Sequence, residues 1–248
     1  MTPRLGEIWV YLSASPLLGL TLTLVAYQCG YWIYRRAGFH PFANPVLLAV
    51  AMLASILLLT GTDYQTYFDG AQFVHFLLGP ATVALAIPLY AQLPRLKAMA
   101  WPLGVALVAG SLTAMVSAWG LASLLGGSHE LTMSLAPKSA TTPIAMAVAE
   151  RLGGLPSLTA VLVISTGILG AVLARSIYRL LRIDDDAVRG FAIGLVSHGI
   201  GTARAFQVSE VAGAFAALAM GLNGLLTALS LPWLVPWLEH GSFWSWLH

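Results

Sequence analysis

Two stretches, Ala136-Pro137-Lys138-Ser139-Ala140-Thr141-Thr142-Pro143-Ile144 and Ser197-His198-Gly199-Ile200-Gly201-Thr202-Ala203-Arg204, decide how this chain folds. Each lies in a segment apolar enough to enter a membrane, at about 130–151 and 187–209, and each is interrupted by Pro, Gly, Ser and Thr and carries an ionisable group. Shifting the chain by 60 places sets Leu135, Thr142, Ala145, Val148, Glu150, Gly153 and Leu158 on Leu195, Thr202, Ala205, Val208, Glu210, Gly213 and Leu218, and Lys138 on His198. Matches among Leu, Ala and Val cost little in an apolar chain. Matches of Thr, Glu and Gly at preserved spacing are more informative, and they predict a duplication with units at 130–178 and 190–238 inside a single membrane domain covering 1–248.

The surrounding sequence says what solvent the duplication sits in. Of 248 residues, 58% are hydrophobic and 9% charged, against roughly 25% charged in soluble domains, and the mean hydropathy is +0.81. No Lys, Arg, Asp or Glu occurs in 8–34, 37–62, 70–94, 98–129, 152–174 or 211–238. Most of those gaps hold the ~20 apolar residues that cross a bilayer. The fold class expected is therefore all-α and polytopic. Six full spans are predicted, at about 8–33, 45–62, 71–92, 98–126, 156–178 and 213–238, plus the two broken segments. The first apolar run is longer than a signal-peptide core and has no small-x-small cleavage site after it, so it reads as a retained span.

Loop charges bear on the two broken segments. If neither crosses, Arg35, Arg36, Arg95, Lys97, Arg175, Arg179, Arg182 and Arg189 share one side, with Arg4 and Arg151 on the other. A full crossing at 130–151 abolishes that asymmetry. Re-entrant segments are expected instead, the first dipping from the outer face and the second from the cytoplasmic face, with the amino terminus outside. With one full span per repeat, the two copies are inverted, an architecture of transporters with broken helices near the midplane.

Local chemistry points to an anion. Pro143 suits the first turn of a helix and Thr142 suits its N-cap, so a helix starts at the first break with its positive end facing Lys138. A lysine at membrane depth costs about 2.5–3.5 kcal/mol on insertion scales, which calls for a partner, a ligand or a route to water; snorkelling to the outer interface is the structural alternative. In the second break Gly199 and Gly201 permit conformations closed to other residues, and the repeat makes Thr202 the cap of another half-helix. The expected substrate-binding set is Lys138, Ser139, Thr141, Thr142, Ser197, His198, Gly199, Gly201, Thr202 and Arg204. His198 can bond a substrate or carry a proton, or else simply bond a neighbouring carbonyl. Arg204 offers a fork to a carboxylate or pairs with Glu210. Glu150 and Glu210, each expected to end a half-helix, read as interfacial charges or ion-pair partners, with a coupling role as the other possibility.

Other features have ordinary explanations. His75 reads as a helix contact, and Gly79-Pro80 and Pro88 as kinks, with Thr82 within reach of a central cavity. Trp233, Trp237, Trp244 and Trp246 suit interfacial anchoring. Three consecutive carboxylates, Asp184-Asp185-Asp186, do not converge on one ion and help to start the next helix. Cys29 is the only cysteine and excludes an intrachain disulfide. A net charge of +2 with basic residues dispersed in loops argues against a nucleic-acid partner. No cofactor or metal is expected. A Ser-Lys hydrolase is disfavoured, because adjacent side chains such as Lys138 and Ser139 are expected to point apart.

The strings Leu77-Leu78-Gly79-Pro80-Ala81-Thr82-Val83-Ala84-Leu85-Ala86-Ile87-Pro88-Leu89-Tyr90, Ala136 to Ala145, Leu158-Thr159-Ala160-Val161, Thr166-Gly167 and Ser197 to Ala203 resemble the LrgB/CidB family of bacterial membrane proteins over about 40–235. That family also forms the carboxy-terminal half of the plastid glycolate/glycerate transporter. The resemblance implies a multi-pass protein of the bacterial inner membrane that transports a small monocarboxylate such as glycolate, glycerate or pyruvate. It also implies, as the alternative, a holin/antiholin-like regulator of murein hydrolase export and autolysis acting with an LrgA/CidA-type partner. A homo-oligomer is expected in either case. The resemblance supplies no site residues, and where it implies an acidic residue this chain has Phe206-Gln207, a departure that bears on cation coupling.

Overall fold

The computed structural model describes residues 16–40 and 43–240. Arg4, the start of the first expected span, Trp244 and Trp246 lie outside the described residues, as does the side chain of His75. The described residues are helical, with no strand among them, in two compact units, Met1–Leu85 and Ala86–His248. Among the described residues four helical stretches are long and apolar enough to cross a membrane: Tyr64–Ala91, Ala100–Leu124, Pro156–Leu180 and Glu210–Leu238. Pro45–Thr60 is a shorter apolar helix.

In the first unit α1 (Pro16–Arg36) packs on both α2 (Pro45–Thr60) and α3 (Tyr64–Ala84). Each boundary has a local cause. Asn44 caps α2 through bonds from Val46 N at 2.9 Å and Leu47 N at 3.2 Å, Gly61 ends it in the left-handed conformation, and Asp63 caps α3 by accepting from Gln65 N. Glycine lets the helices approach: a Cβ on Gly19 would lie 2.7 Å from the Tyr67 carbonyl oxygen. Beside it the Tyr67 hydroxyl donates to Thr23 Oγ1 at 2.7 Å, and the Thr23 proton goes to the Gly19 carbonyl. Pro80 is accommodated inside α3, which runs on to Ala84.

The second unit begins with two short helices, α4 (Ala86–Ala91) and α5 (Leu93–Ala98), then α6 (Ala100–Leu124). The first broken segment follows as α7 (His129–Leu135), an irregular stretch at 136–141, and α8 (Thr142–Arg151). It doubles back. His129 Nε2 donates to the Leu152 carbonyl at 3.1 Å, and Ser134 Oγ accepts from Leu155 N at 2.8 Å while donating to the Glu130 carbonyl. The chain thus leaves the segment beside the point where it entered, at the start of α9 (Pro156–Leu180).

The second segment, α10 (Asp186–Val208), is broken at His198, whose φ of 41° and ψ of −130° are not helical. It doubles back as well. A Cβ on Gly201 would lie 2.6 Å from the carbonyl oxygen of Ile193, eight residues earlier and about 12 Å away in a straight helix. Gly190 and Gly194 then abut the backbone at Ala212 and Ala216 of α11 (Glu210–His240), so α11 sets out level with, and parallel to, the first half of α10. Small residues four apart on both helices give the close approach that membrane helices use.

The two hairpins enter from opposite ends of α9. The first is tied to its start through Leu155, and the second to its end, where Tyr178 Oη donates to the Arg189 carbonyl at 2.8 Å. Between those ends lie 25 residues, about 37 Å of helix, enough to cross the ~30 Å hydrocarbon core. At the second end Asp185 caps α10 through Ala187 N and Val188 N and meets Arg95 of α5 at 2.6 Å. Arg189 holds Asp184 at 2.8 Å and approaches Asp186 at 3.8 Å. The acidic run is therefore a helix start within an ion-pair network. Among the described residues no group of His, Cys, Asp and Glu is placed to hold a metal.

Candidate functional site

The breaks meet at a buried asparagine. Asn223, 1% exposed and midway along α11, donates from Nδ2 to the Ser139 carbonyl at 2.9 Å and to the Leu195 carbonyl at 3.0 Å. Ser111 of α6 donates its hydroxyl proton to Asn223 Oδ1. Ser139 belongs to the first break. Leu195 lies just before the second, and its carbonyl stands where an unbroken helix would receive the N–H of Gly199. One primary amide thus takes up a carbonyl from each break, and its own oxygen is pinned by a serine. The arrangement satisfies both donors of the amide and leaves neither carbonyl stranded in an apolar surround.

His198 is held by the opposite long helix. Its Nε2 donates to the Val163 carbonyl of α9 at 2.9 Å, so the proton sits on Nε2, because a carbonyl only accepts. The carbonyl-bonding alternative for His198 is the one the geometry adopts. Two glycines make room for it. A Cβ on Gly167 would lie 2.7 Å from His198 Cε1, and one on Gly170 would overlap Ser197 Oγ. Ser197 Oγ is fully buried against α9 with no hydrogen-bond partner among the described residues. Under the 60-place shift Asn223 falls on Val163; Asn223 bonds the first break and Val163 the second.

Lys138 is half-buried and makes no ion pair among the described residues. Its Nζ donates to Ser139 Oγ at 3.4 Å, so these adjacent side chains approach one another rather than pointing apart. The separation is longer than the 2.6–3.2 Å reach of a nucleophile-base pair. Beyond the break the N-cap of α8 is Thr141, not Thr142, and its side chain makes no capping bond. Early N–H groups of α8 are thus left uncapped by that side chain, three residues after the lysine. In the second break Thr202 is not the cap either. The half-helix begins directly after His198, and Thr202 Oγ1 donates back to the His198 carbonyl at 2.8 Å.

The remaining expected site residues are spread along the hairpins. Gly199 faces Met220 Sδ, with open space otherwise, and Gly201 packs on Ile193. Arg204 donates to Gln207 Oε1 at 3.2 Å, near the exit of the second hairpin and away from the break. Glu150 and Glu210 are both exposed, and neither forms a salt bridge among the described residues. Glu150 does end a half-helix, whereas Glu210 begins α11, because the second half-helix stops at Val208. Sequence reasoning missed Asn223, Ser111, Gly167 and Gly170. For Asn223 a signal was available: it is one of only two asparagines in the chain and stands in a charge-free apolar stretch.

Apolar helices of spanning length around two broken, doubled-back segments define a multi-pass, all-α membrane protein with a polar centre. The profile of the LrgB-like family matches residues 23–237, and the chain belongs to that family. It is 38% identical over 219 residues to the uncharacterized protein YwbG of Bacillus subtilis (strain 168), covering 88% of this chain and 97% of that one. To the uncharacterized protein YxaC of the same organism it is 35% identical, covering 89% and 95%. The antiholin-like protein LrgB of Bacillus mycoides (strain KBAB4) is 30% identical, with 90% and 97% covered. No solved structure matches the chain.

Proposed function

We propose that this protein is a secondary transporter for a small monocarboxylate of the glycolate, glycerate or pyruvate kind, in the bacterial inner membrane. The observation that carries the reading is the meeting of two broken hairpins, entered from opposite ends of α9, beside a lysine that has no carboxylate partner among the described residues. A single positive charge three residues before an N-cap whose side chain leaves the helix start unbonded suits one negative charge, and Ser139 Oγ adds an orienting hydroxyl. The 60-place correspondence supports an inverted repeat of units 130–178 and 190–238, with α9 and α11 as equivalent long helices, and rocking of one unit against the other supplies alternating access.

Uptake of labelled glycolate, glycerate and pyruvate by proteoliposomes holding only this protein tests the reading. Lys138→Ala is expected to lower uptake at least about tenfold, the effect of losing a charged hydrogen bond, with partial recovery in Lys138→Arg. Uptake equal to empty liposomes for all three acids, or full uptake by Lys138→Ala, overturns it.

The relatives' names favour a second reading. That the Bacillus relatives are named antiholin-like LrgB supports the holin/antiholin-like role, regulation of murein hydrolase export and autolysis with an LrgA/CidA-type partner, better than it supports a permease. This reading needs no substrate site in the chain. It predicts that deleting the gene alters autolysis, that Lys138→Ala complements the deletion as well as the native chain does, and that the purified protein moves none of the three acids. Loss of complementation in Lys138→Ala counts against it.

A further inference from the structure

The hydrogen bonds at Asn223 do more than fill donors in a buried place. An isolated break needs a partner only for its own carbonyl, and either could have been served by a nearby hydroxyl, as the His198 carbonyl is by Thr202. Here one side chain serves both, from a third helix, and its orientation is fixed by a fourth through Ser111. The two N–H bonds diverge from a single nitrogen, so displacement of either hairpin along its axis stretches one bond while the other stays anchored. No second side chain bonds both breaks among the described residues.

We propose that Asn223 is a positioning residue that couples the two hairpins: its amide, pinned by Ser111, holds the Ser139 and Leu195 carbonyls in one arrangement, and the breaks move independently only when it lets go of one of them. A change at one break is then felt at the other without direct contact between them. The coupling belongs to the fold of the second unit and stands whether the chain transports a carboxylate or regulates a partner. Under the transport reading it also sets the two faces of the anion site relative to each other.

Hydrogen-deuterium exchange of the full-length protein in nanodiscs, followed by peptides covering 136–142 and 194–201, separates coupling from simple packing. In Asn223→Ala both segments are expected to exchange about tenfold faster or more, the consequence of leaving buried carbonyls unpaired, while 100–110 of α6 and 156–162 of α9 keep their native rates. Ser111→Ala, which keeps both carbonyl bonds but frees the amide oxygen, is expected to show the same two segments accelerated by a smaller factor. If Asn223→Ala is not recovered folded, Ser111→Ala alone decides the matter. Acceleration in only one of the two segments, in neither, or equally throughout α6, α9 and α11 overturns the proposal. No substrate enters the measurement, so absence of uptake in liposomes would remove the transport reading and leave this one intact.

Discussion

His198 shows how one residue's conformation can organise a segment. A positive φ in a non-glycine residue costs on the order of 1–3 kcal/mol and persists only where its surroundings over-determine it. Here those surroundings are the bond to the Val163 carbonyl, the back-bond from Thr202, and the bare faces of Gly167 and Gly170. Gly167→Ala places a methyl 2.7 Å from His198 Cε1, and it is expected to lower unfolding stability by about 1–3 kcal/mol, read as a drop in the thermal midpoint of the detergent-solubilised protein. An unchanged midpoint would mean that the imidazole does not lie against α9. Asp185 offers a pH test at the surface. Bonds from Val188 N and then Ala187 N, with Arg95 beside it, hold its carboxyl below the ordinary range. A carboxyl whose folded pKa is depressed contributes stability above its unfolded value and loses that contribution as pH falls through the folded one. The thermal midpoint is therefore expected to fall as pH drops below the ordinary aspartate value of about 4, with a shallower fall in Asp185→Asn. Equal slopes would count against the cap.

At the level of helices, the sequence disclosed both breaks but not how each is closed. Pro137, Pro143, Gly199 and Gly201 marked where the helices are interrupted, because a missing N–H and a missing Cβ are properties of the residue alone. Which residue adopts the unusual conformation was not legible. Glycine was the natural choice, yet His198 takes it, since only the tertiary bond to Val163 makes that favourable. The cap at Thr202 failed for a related reason: a threonine hydroxyl inside a helix bonds the carbonyl four residues back as readily as it caps an N–H. Asn223 stood out in the string as a lone amide in an apolar stretch, but its partners did not, because they are backbone carbonyls 84 and 28 positions away and no spacing rule reaches that far. The seam between α10 and α11 was written as small residues four apart, though nothing in the string paired Gly190 with Ala212 or Gly194 with Ala216. Gly194→Ala would drive a methyl into the Ala216 carbonyl. It is expected to cost about 1–3 kcal/mol and to speed exchange across 190–197 and 212–219. Normal exchange in both segments would contradict the close approach.

Taken together, the helices of the second unit make a membrane body whose middle is polar and whose ends are distinct. Arg95, Asp184, Asp185, Asp186 and Arg189 gather at the end where the second hairpin enters, and His129, Leu152 and Leu155 mark the end where the first does. The hydrogen bond at His129 closes the base of the first hairpin, and the packing at Gly201 lies beside the turn of the second. What a permease and a regulator share is that central meeting of breaks, and its premise is that the hairpins come in from opposite faces of the bilayer. Labelling of single cysteines in a Cys29→Ser background by a membrane-impermeant maleimide, applied to intact cells and to inverted vesicles, tests this most directly. Glu150→Cys and Asp184→Cys are predicted to react from opposite sides, one only in cells and the other only in inverted vesicles. Reaction of both from the same side would contradict the account.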